Sequence, residues 1–432
     1  MRGMHERRRD RLRCAGLAVA AALGGVAACK REAPAAALAG SAAGAPVAAA
    51  ADAGRWYRAQ LTYDDVGELP FFVRLPPVGT RGPALVQNGS ETVTLTASWR
   101  GDQLTVETPW NYPSQIAATR DPRTQALTGT WTRETPLWGK VVRAFVAEPI
   151  GAPDPRVRFP AGPAPEASVA GTWRMEFNVY HGGKASFEQD ADGVVRGTLR
   201  PGELGDIRFL AGNLRGRRLA LSTFNGNAAN LVLATLSPDG RTMSGIMSLQ
   251  NMWNETFTAE KVDRVALPPR VHLRAGAQTL QLKGLERFRG KPTVVTLFAT
   301  WCPSCNDMFD FLVELYPQVH RRGLALYGVA YDLSADEAAN QAELAFFRKE
   351  HGVDWALEQV PCTPETWAKV MPPELEDWDG VPVNLFVRAD GTVQSIRGGW
   401  YGPAAPADNR ELRAWFTAEV DRLLASAAPA PR

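Results

Sequence analysis

The stretch "PTVVTLFATWCPSC", residues 292–305, joins a continuous apolar run to two cysteines separated by two residues. The run predicts a strand at the centre of a sheet, and the residues after it predict a helix from the cysteine pair to about Arg321. Cys302 would then lie at the helix N-terminus, where unpaired N–H groups and the helix dipole favour a thiolate. Cys305, one turn later, would be close enough to attack a mixed disulfide. The pattern therefore predicts disulfide-exchange chemistry.

The same pair could instead be half of a zinc site or two buried small residues. A zinc site needs two further ligands, and the sequence has no second Cys-x-x-Cys. His320, His351 or Cys362 would supply them only if the fold brought them together. We therefore predict no metal here and no added cofactor, the redox group being the Cys302–Cys305 disulfide itself.

Residues after "LPPR" (267–270) alternate between strand and helix patterns, which is typical of a mixed or mainly parallel sheet. The segment "GLALYGVAYD" (323–332) predicts a second strand, and "VPVNLFVRADGTVQSI" (381–396) predicts a hairpin that turns at "ADG". These elements predict an α/β domain around the cysteine pair.

The segment "GKPTVVTLFATWCPSC" (290–305), followed later by "GVPVNLFVRADGTV" (380–393), resembles the thioredoxin-like TlpA/ResA family. Members of that family are membrane-tethered, extracytoplasmic thiol:disulfide oxidoreductases. The resemblance covers residues 268–427 and implies a thioredoxin-like domain over that range.

The resemblance implies that Cys302 is the nucleophile and Cys305 the resolving thiol, with a cis-proline at Pro382 facing them. Val381 would offer backbone groups to a bound substrate strand, and Trp301 would shape the docking surface. The predicted substrate-docking residues are Trp301, Pro303, Ser304, Val381 and Pro382.

Two positions depart from that family's pattern. Thr296 stands where many thioredoxins carry a buried acid, and Met308 stands where ResA-type proteins carry a glutamate. The usual proton-transfer groups are therefore missing from the sequence. Asp307, Asp310 and Asp332 are candidate substitutes, although acids at such positions are more often solvated. The reduction potential, and with it the direction of the reaction, stays open.

Cys362, in "EQVPCTPETW" (358–367), is either a buried small residue or a third redox thiol that resolves with Cys302 or Cys305. Burial is favoured because nothing around it is basic. A peroxiredoxin-type peroxidase is a less favoured function. Its nucleophile needs a proline and a threonine or serine upstream, and Val295 and Ala299 occupy those positions.

The N-terminus predicts export. Residues 1–28 combine a basic start with the apolar "CAGLAVAAALGGVAAC" and predict a lipoprotein-type signal peptide. "VAAC" resembles a bacterial lipobox, which implies that Cys29 becomes lipid-modified, and residues 29–53 predict a flexible Ala/Gly/Pro tether. We therefore expect a membrane-anchored protein of the periplasm, with inner or outer membrane undecided.

Export also changes the charge. The formal net charge is +2, and the signal holds six Arg against Glu6 and Asp10. Its removal takes away +4 and leaves about −2, so no nucleic-acid partner is expected.

Residues 54–263 have short alternating apolar runs broken by Gly, Pro, Asn and Asp, which predict antiparallel strands. "AGRWYRAQL" matches "AGTWRMEFN", and "RGDQLTVET" matches "RGRRLALST", so we predict a duplicated β unit at 54–160 and 168–263. The G-x-W triplets at 54–56, 129–131 and 171–173 resemble the opening strand of lipocalin barrels. A ligand pocket is one interpretation, and a tryptophan that fills a small core is the favoured one.

The sequence thus predicts a multidomain chain, with an N-terminal all-β region followed by an α/β thioredoxin-like domain. The favoured function is reduction of disulfides in exported proteins, with electrons restored by a membrane-embedded donor. The alternative is a cell-envelope binding module, whose β units bind a ligand or client and whose redox domain is accessory.

Overall fold

A computed structural model describes residues 54–63, 66–108, 114–135, 139–178, 182–202, 205–249, 253–267, 270–332, 336–363, 366–378 and 380–426. The predicted signal peptide, the lipidation site Cys29 and the tether lie outside these residues.

The first part of the described chain is a closed barrel of eight antiparallel strands, in which β8 pairs back onto β1. In β1 the residues Tyr57, Ala59, Leu61 and Tyr63 are buried and alternate with more exposed neighbours, as period-two side-chain geometry requires. The strands are β1 (Arg55–Tyr63), β2 (Gly67–Leu75), β3 (Arg81–Asn88), β4 (Glu91–Arg100), β5 (Gln103–Glu107), β6 (Ser114–Arg120), β7 (Leu127–Thr135) and β8 (Gly139–Ile150).

A second closed barrel follows, and β16 pairs back onto β9. Its strands are β9 (Gly171–Phe177), β10 (Gly183–Gln189), β11 (Val194–Pro201), β12 (Ile207–Arg215), β13 (Arg218–Phe224), β14 (Ala229–Leu236), β15 (Thr242–Leu249) and β16 (Trp253–Val262). Trp131 in the first barrel and Trp173 in the second are fully buried core residues, whereas Trp56 is only partly buried. The prediction of an all-β N-terminal region is confirmed, in the form of two barrels.

The two barrels are packed into each other. The Phe224 ring, at the end of β13, stacks on Phe71 of the first barrel with ring centroids 4.3 Å apart. The carbonyl oxygen of Gly226 accepts hydrogen bonds from Trp131 Nε1 at 2.8 Å and from Ser114 Oγ at 2.6 Å. The end of β13 and the turn after it therefore contribute to the core of the first barrel.

The C-terminal domain is built on a five-stranded mixed sheet with the order β20, β19, β18, β22, β23. Its central strand is buried along its whole length, which explains the continuous apolar run. The strands are β17 (His272–Leu273), β18 (Thr293–Phe298), β19 (Ala325–Ala330), β20 (Ala356–Gln359), β21 (Leu375–Glu376), β22 (Val383–Val387) and β23 (Val393–Gly398), with β17 and β21 forming a separate small pair.

The helices of this domain are α1 (Pro303–His320), α2 (Glu337–His351), α3 (Trp367–Val370) and α4 (Pro406–Ser426). A 3-10 turn at Leu285–Phe288 also belongs to it, and another at Pro155–Val157 lies between β8 and β9. Helix α1 begins directly after β18 and the short connection 299–302, as the sequence predicts. Among the described helices, none is both long and apolar enough to cross a membrane.

Candidate active site

The cysteine pair lies at the start of α1. Cys302 is the N-cap residue, with extended backbone angles of φ −82° and ψ 115°, and Pro303 occupies the first helical position. Cys302 Sγ accepts a hydrogen bond from the backbone N–H of Cys305 at 3.3 Å. The two sulfur atoms are joined in a disulfide with a Cα–Cα distance of 5.2 Å. The first sulfur therefore occupies the position where a helix start stabilises negative charge.

Three further predicted residues surround the first sulfur. Ser304 Oγ lies 3.3 Å from Cys302 Sγ, and the carbonyl oxygen of Val381 lies 3.7 Å from it. The peptide bond between Val381 and Pro382 is cis. Ser304, Val381 and Pro382 are all buried, so these groups are within reach of the sulfur while little solvent touches them.

Trp301 and Pro303 lie at the edge of this arrangement. Trp301 is partly exposed and Pro303 is exposed, and both residues line two neighbouring cavities. The smaller cavity, of about 130 Å³, reaches Cys302, and the larger one, of about 220 Å³, extends over α1 toward His351.

A neutral network occupies the places where the sequence lacks acids. Thr296 Oγ1 donates to Asn384 Oδ1 at 2.9 Å, and Asn384 Nδ2 donates to Met308 Sδ at 3.1 Å. Asn384 was not predicted as a site residue, although an asparagine within the apolar "VPVNLFV" of β22 is an available signal. The side chains of this network form hydrogen bonds with one another, and none of them gains or loses a proton near neutral pH.

The expectation that the candidate acids are solvated is wrong for Asp332. Its side chain is buried and accepts hydrogen bonds from Thr300 N at 3.0 Å, from Thr300 Oγ1 at 2.9 Å and from Gln359 Nε2 at 3.0 Å. Burial raises the pKa of Asp332, and these hydrogen bonds oppose the rise. Asp332 thus stabilises the connection 299–302 between β18 and α1 through its hydrogen bonds to Thr300.

The same expectation is wrong for Asp307 and right for Asp310. The Asp307 side chain is only 12% exposed and pairs with Arg208 of the second barrel, whereas the Asp310 side chain is 69% exposed and contacts His351 Nδ1 at 2.7 Å. Burial raises the pKa of Asp307, and the positive charge of Arg208 works against this rise. Sequence analysis missed Arg208, because nothing local links β12 to α1.

Cys362 is a buried free thiol. Its Sγ donates to the carbonyl oxygen of Asp332 at 3.5 Å, and burial, followed by the charge of Asp332, raises the pKa of Cys362 to about 12. Such a thiol is almost wholly protonated at neutral pH and is a poor nucleophile.

His351 is one of the candidate metal ligands, and Val295 and Ala299 occupy the two positions that a peroxidase would need. His351 Nε2 contacts Asn306 Oδ1 at 2.7 Å. Within the part of the chain that the structure describes, no three His, Cys, Asp or Glu side chains are grouped so that they could hold a metal ion. Val295 and Ala299 are fully buried.

The comparisons with known proteins concern the C-terminal domain. The model of the AhpC/TSA family matches residues 264–357. A search of curated proteins found no match.

Several solved structures are similar over about a third of the chain. A putative thiol:disulfide interchange protein DsbE from Chlorobium tepidum is 17% identical, with a TM-score of 0.25, over 34% of this chain and 99% of its own. A secreted Mycobacterium tuberculosis disulfide oxidoreductase, described as homologous to Escherichia coli DsbE, is 20% identical, with a TM-score of 0.22, over 32% of this chain and 86% of its own. A putative protein disulfide isomerase from Bacteroides thetaiotaomicron is 18% identical, with a TM-score of 0.26, over 36% and 93%.

The family model covers β18, the cysteine pair and α1. The mixed sheet, the cysteine pair at the start of α1 and the cis bond before Pro382 make this part of the chain a thioredoxin-like domain.

Proposed function

We propose that this chain is a thiol:disulfide oxidoreductase in which Cys302 and Cys305 form the dithiol that exchanges with substrate. The observation that carries the proposal is the position of Cys302 Sγ, which caps α1, accepts the N–H of Cys305 and is bonded to the sulfur of Cys305. This position favours the thiolate form of Cys302 in the reduced state, and it places the resolving sulfur within bonding distance.

In the reducing direction, the Cys302 thiolate attacks one sulfur of a substrate disulfide. A mixed disulfide forms, and the other substrate sulfur leaves as a thiolate that takes up a proton. Cys305 then loses its proton and attacks Cys302 Sγ, which releases the second substrate sulfur and forms the Cys302–Cys305 disulfide. Two electrons pass from the enzyme dithiol to the substrate, and an external dithiol must restore them.

The rest of the proposal follows from the sequence. We propose that the protein is anchored to a membrane through Cys29, faces the periplasm, reduces disulfides of exported proteins and is re-reduced by a membrane-embedded donor. Residues 1–53 carry the export and anchoring signals, and the oxidising environment outside the cytoplasm supplies disulfide substrates.

Reduction of insulin with dithiothreitol as the reductant tests the enzyme proposal. Full-length protein should accelerate the reaction over the dithiothreitol background, and a Cys302→Ser variant should fall to that background. Equal background rates from both proteins would overturn the proposal and favour a binding module. A Cys362→Ala variant is the matched control, because it removes a cysteine of the same domain and should keep the wild-type rate.

A Cys305→Ser variant tests the assigned order of attack. It should accumulate a mixed disulfide between Cys302 and substrate, since the resolving sulfur is missing. Mass spectrometry of the trapped species in cells would also identify the client. A substrate bonded to Cys362 in this variant would contradict the assignment of Cys302 as the nucleophile.

A further inference from the structure

The second barrel covers the sulfur that the proposed reaction uses. Cys302 is only 3% exposed and Val381 only 2%. Gly205, between β11 and β12, lies directly over Ser304: a Cβ atom placed on Gly205 would be 2.1 Å from Ser304 Oγ. The cavity that reaches Cys302 is therefore walled on one side by the C-terminal domain and on the other by barrel residues, among them Asp206, Arg208 and Asn230.

Arg208 connects all three parts of the fold. From β12 of the second barrel it pairs with Asp307 on α1 and, at 3.4 Å, with Glu91 at the start of β4 in the first barrel. The side chains of Arg208, Glu91 and Asp307 are 23%, 15% and 12% exposed, so the charges are partly removed from solvent. Breaking such a partly buried pair costs more than breaking a surface pair, because a charge is left without its partner.

Further contacts across this boundary are polar. Lys184 of β10 pairs with Asp408 on α4, and the backbone N–H of Gly402 donates to Asp206 Oδ1 at 3.0 Å. The guanidinium of Arg200 lies 4.5 Å from the centre of the Tyr401 ring. Polar interfaces between domains of one chain are typical of parts that can separate. We therefore treat the covered arrangement as a closed state in equilibrium with an open one.

The space left over the sulfur limits what can react in the closed state. The cavity that reaches Cys302 has a volume of about 130 Å³, below the roughly 300–1,000 Å³ of typical ligand pockets, and barrel residues form one of its walls. The family resemblance implies that a protein disulfide lays a stretch of backbone against Val381, and Gly205 and Arg208 line the same cavity as Val381. A small disulfide needs no such stretch.

We infer that Arg208 and Gly205 determine the specificity of the proposed exchange: the closed chain accepts small disulfides and reacts with protein disulfides only after the barrels separate from the C-terminal domain. The inference rests on the proposed function and adds a condition for its protein substrates. The rate with a protein disulfide should scale with the fraction of open molecules, whereas the rate with a small disulfide should depend on it weakly.

Single-turnover measurements on prereduced full-length protein test this inference, because they need no added reductant. The two probes are insulin and bis(2-hydroxyethyl) disulfide, an uncharged small molecule. A change in the reactivity of the Cys302 thiolate alters both rate constants and cancels in their ratio. The quantity compared is the ratio of the insulin rate constant to the small-disulfide rate constant. Each reaction oxidises one enzyme dithiol and reduces one substrate disulfide.

Two variants open the closed state by different means. Arg208→Gln removes the charge that joins the three parts, and Gly205→Val places a side chain where Ser304 now lies. The backbone of Gly205 is outside the left-handed region, so valine is compatible with its conformation. The matched control is Arg322→Gln, which removes an exposed ion pair with Asp421 inside the C-terminal domain.

Both variants should raise the ratio by about tenfold or more over wild type, while the Arg322→Gln control should leave it within about twofold. A ratio that stays at the control value in either variant would overturn the inference. The proposed function would survive that result as long as Cys302→Ser abolishes both reactions. If Cys302→Ser reduces both probes as fast as wild type does, the proposed function fails instead. Circular dichroism on each variant separates loss of fold from loss of closure.

Discussion

Ser304 offers the most direct test of how the site activates its nucleophile. Its Oγ lies 3.3 Å from Cys302 Sγ, at the same distance as the backbone nitrogen of Cys305. A disulfide sulfur carries no hydrogen, so the Ser304 hydroxyl is the donor in this contact. After reduction the same hydroxyl would donate to the Cys302 thiolate. A Ser304→Ala substitution removes this donor and leaves the Cys305 N–H and the start of the helix in place.

The size of the effect follows from the strength of one hydrogen bond to a charged group, which is about 1.5–3 kcal/mol. Sulfur is a weak acceptor and 3.3 Å is a normal rather than a short contact, so we take a value of about 1.4 kcal/mol, below that range. Since about 1.4 kcal/mol corresponds to one pKa unit, the alkylation midpoint of Cys302 should rise by about one unit. At a pH below both midpoints the rate should fall about tenfold, because the thiolate is the reactive form.

The assay is the rate of iodoacetamide alkylation of prereduced protein between pH 4 and pH 9, with the labelled cysteine identified by mass spectrometry. Ser304→Ala also removes the contact with Gly205, so Gly205→Ala is measured beside it: a midpoint shift in Ser304→Ala beyond that of Gly205→Ala reports the lost hydroxyl rather than changed access. The control is Ser395→Ala, which removes a hydroxyl bonded to Glu419 in the same domain. A Ser304→Ala midpoint equal to wild type would refute the assigned role of the hydroxyl.

Three further predictions concern buried or partly buried groups of the C-terminal domain. Cys362, with a pKa of about 12, should resist iodoacetamide at pH 8 in the native protein while Cys302 reacts, and comparable labelling of both would restore Cys362 as a redox thiol. Burial raises the pKa of Glu343 to about 7, so the native state keeps a proton that the unfolded state loses above about 4.5, and stability should fall as pH rises through this window. In urea unfolding, the Glu343→Gln variant should not lose stability over this pH range. It should be more stable than wild type by about 1–2 kcal/mol at pH 8 but not at pH 4. A stability difference that does not depend on pH would contradict the raised pKa of Glu343. Asp332→Ala should destabilise by about 2–4 kcal/mol, because it removes the acceptor of the buried Thr300 N–H, and Asp332→Asn should cost less in the same urea experiment since one acceptor oxygen remains.

Much of the fold could be predicted because the patterns are local. The six-residue buried strand β18, the cysteine pair and the following helix are consecutive in the chain, so apolar periodicity and helix-start chemistry define them together. Alternating short runs likewise indicate antiparallel strands. Closure of each set into a barrel depends on pairing between first and last strands, β1 with β8 and β9 with β16, and no local pattern encodes that pairing.

The site likewise contains some residues that the sequence predicts and others that only the tertiary fold brings together. Cys302, Cys305 and Ser304 are neighbours in sequence, and Val381 was placed by a family resemblance. Asn384 faces Thr296 only because β22 pairs with β18, and Arg208 reaches Asp307 only because the second barrel packs on α1. The sequence predicts solvated acids because aspartate usually occupies exposed positions, but the burial of Asp307 and Asp332 is a property of tertiary packing.

The packing of the barrels also sets the charges near the cysteine pair. Thr296, Asn384 and Met308 are neutral, and Asp332 is bonded to Thr300, whereas Asp307 faces the second barrel. Asp307 follows Cys305 by two residues, and its raised pKa originates in burial beneath Arg208. In the proposed open state Asp307 would regain water, which lowers its pKa, and would lose Arg208, which raises it, so both contributions to its pKa depend on the contact that also covers the sulfur. Access and electrostatics are therefore coupled through one contact, and exchange rates measured on the C-terminal domain alone would not describe the reaction of the whole chain.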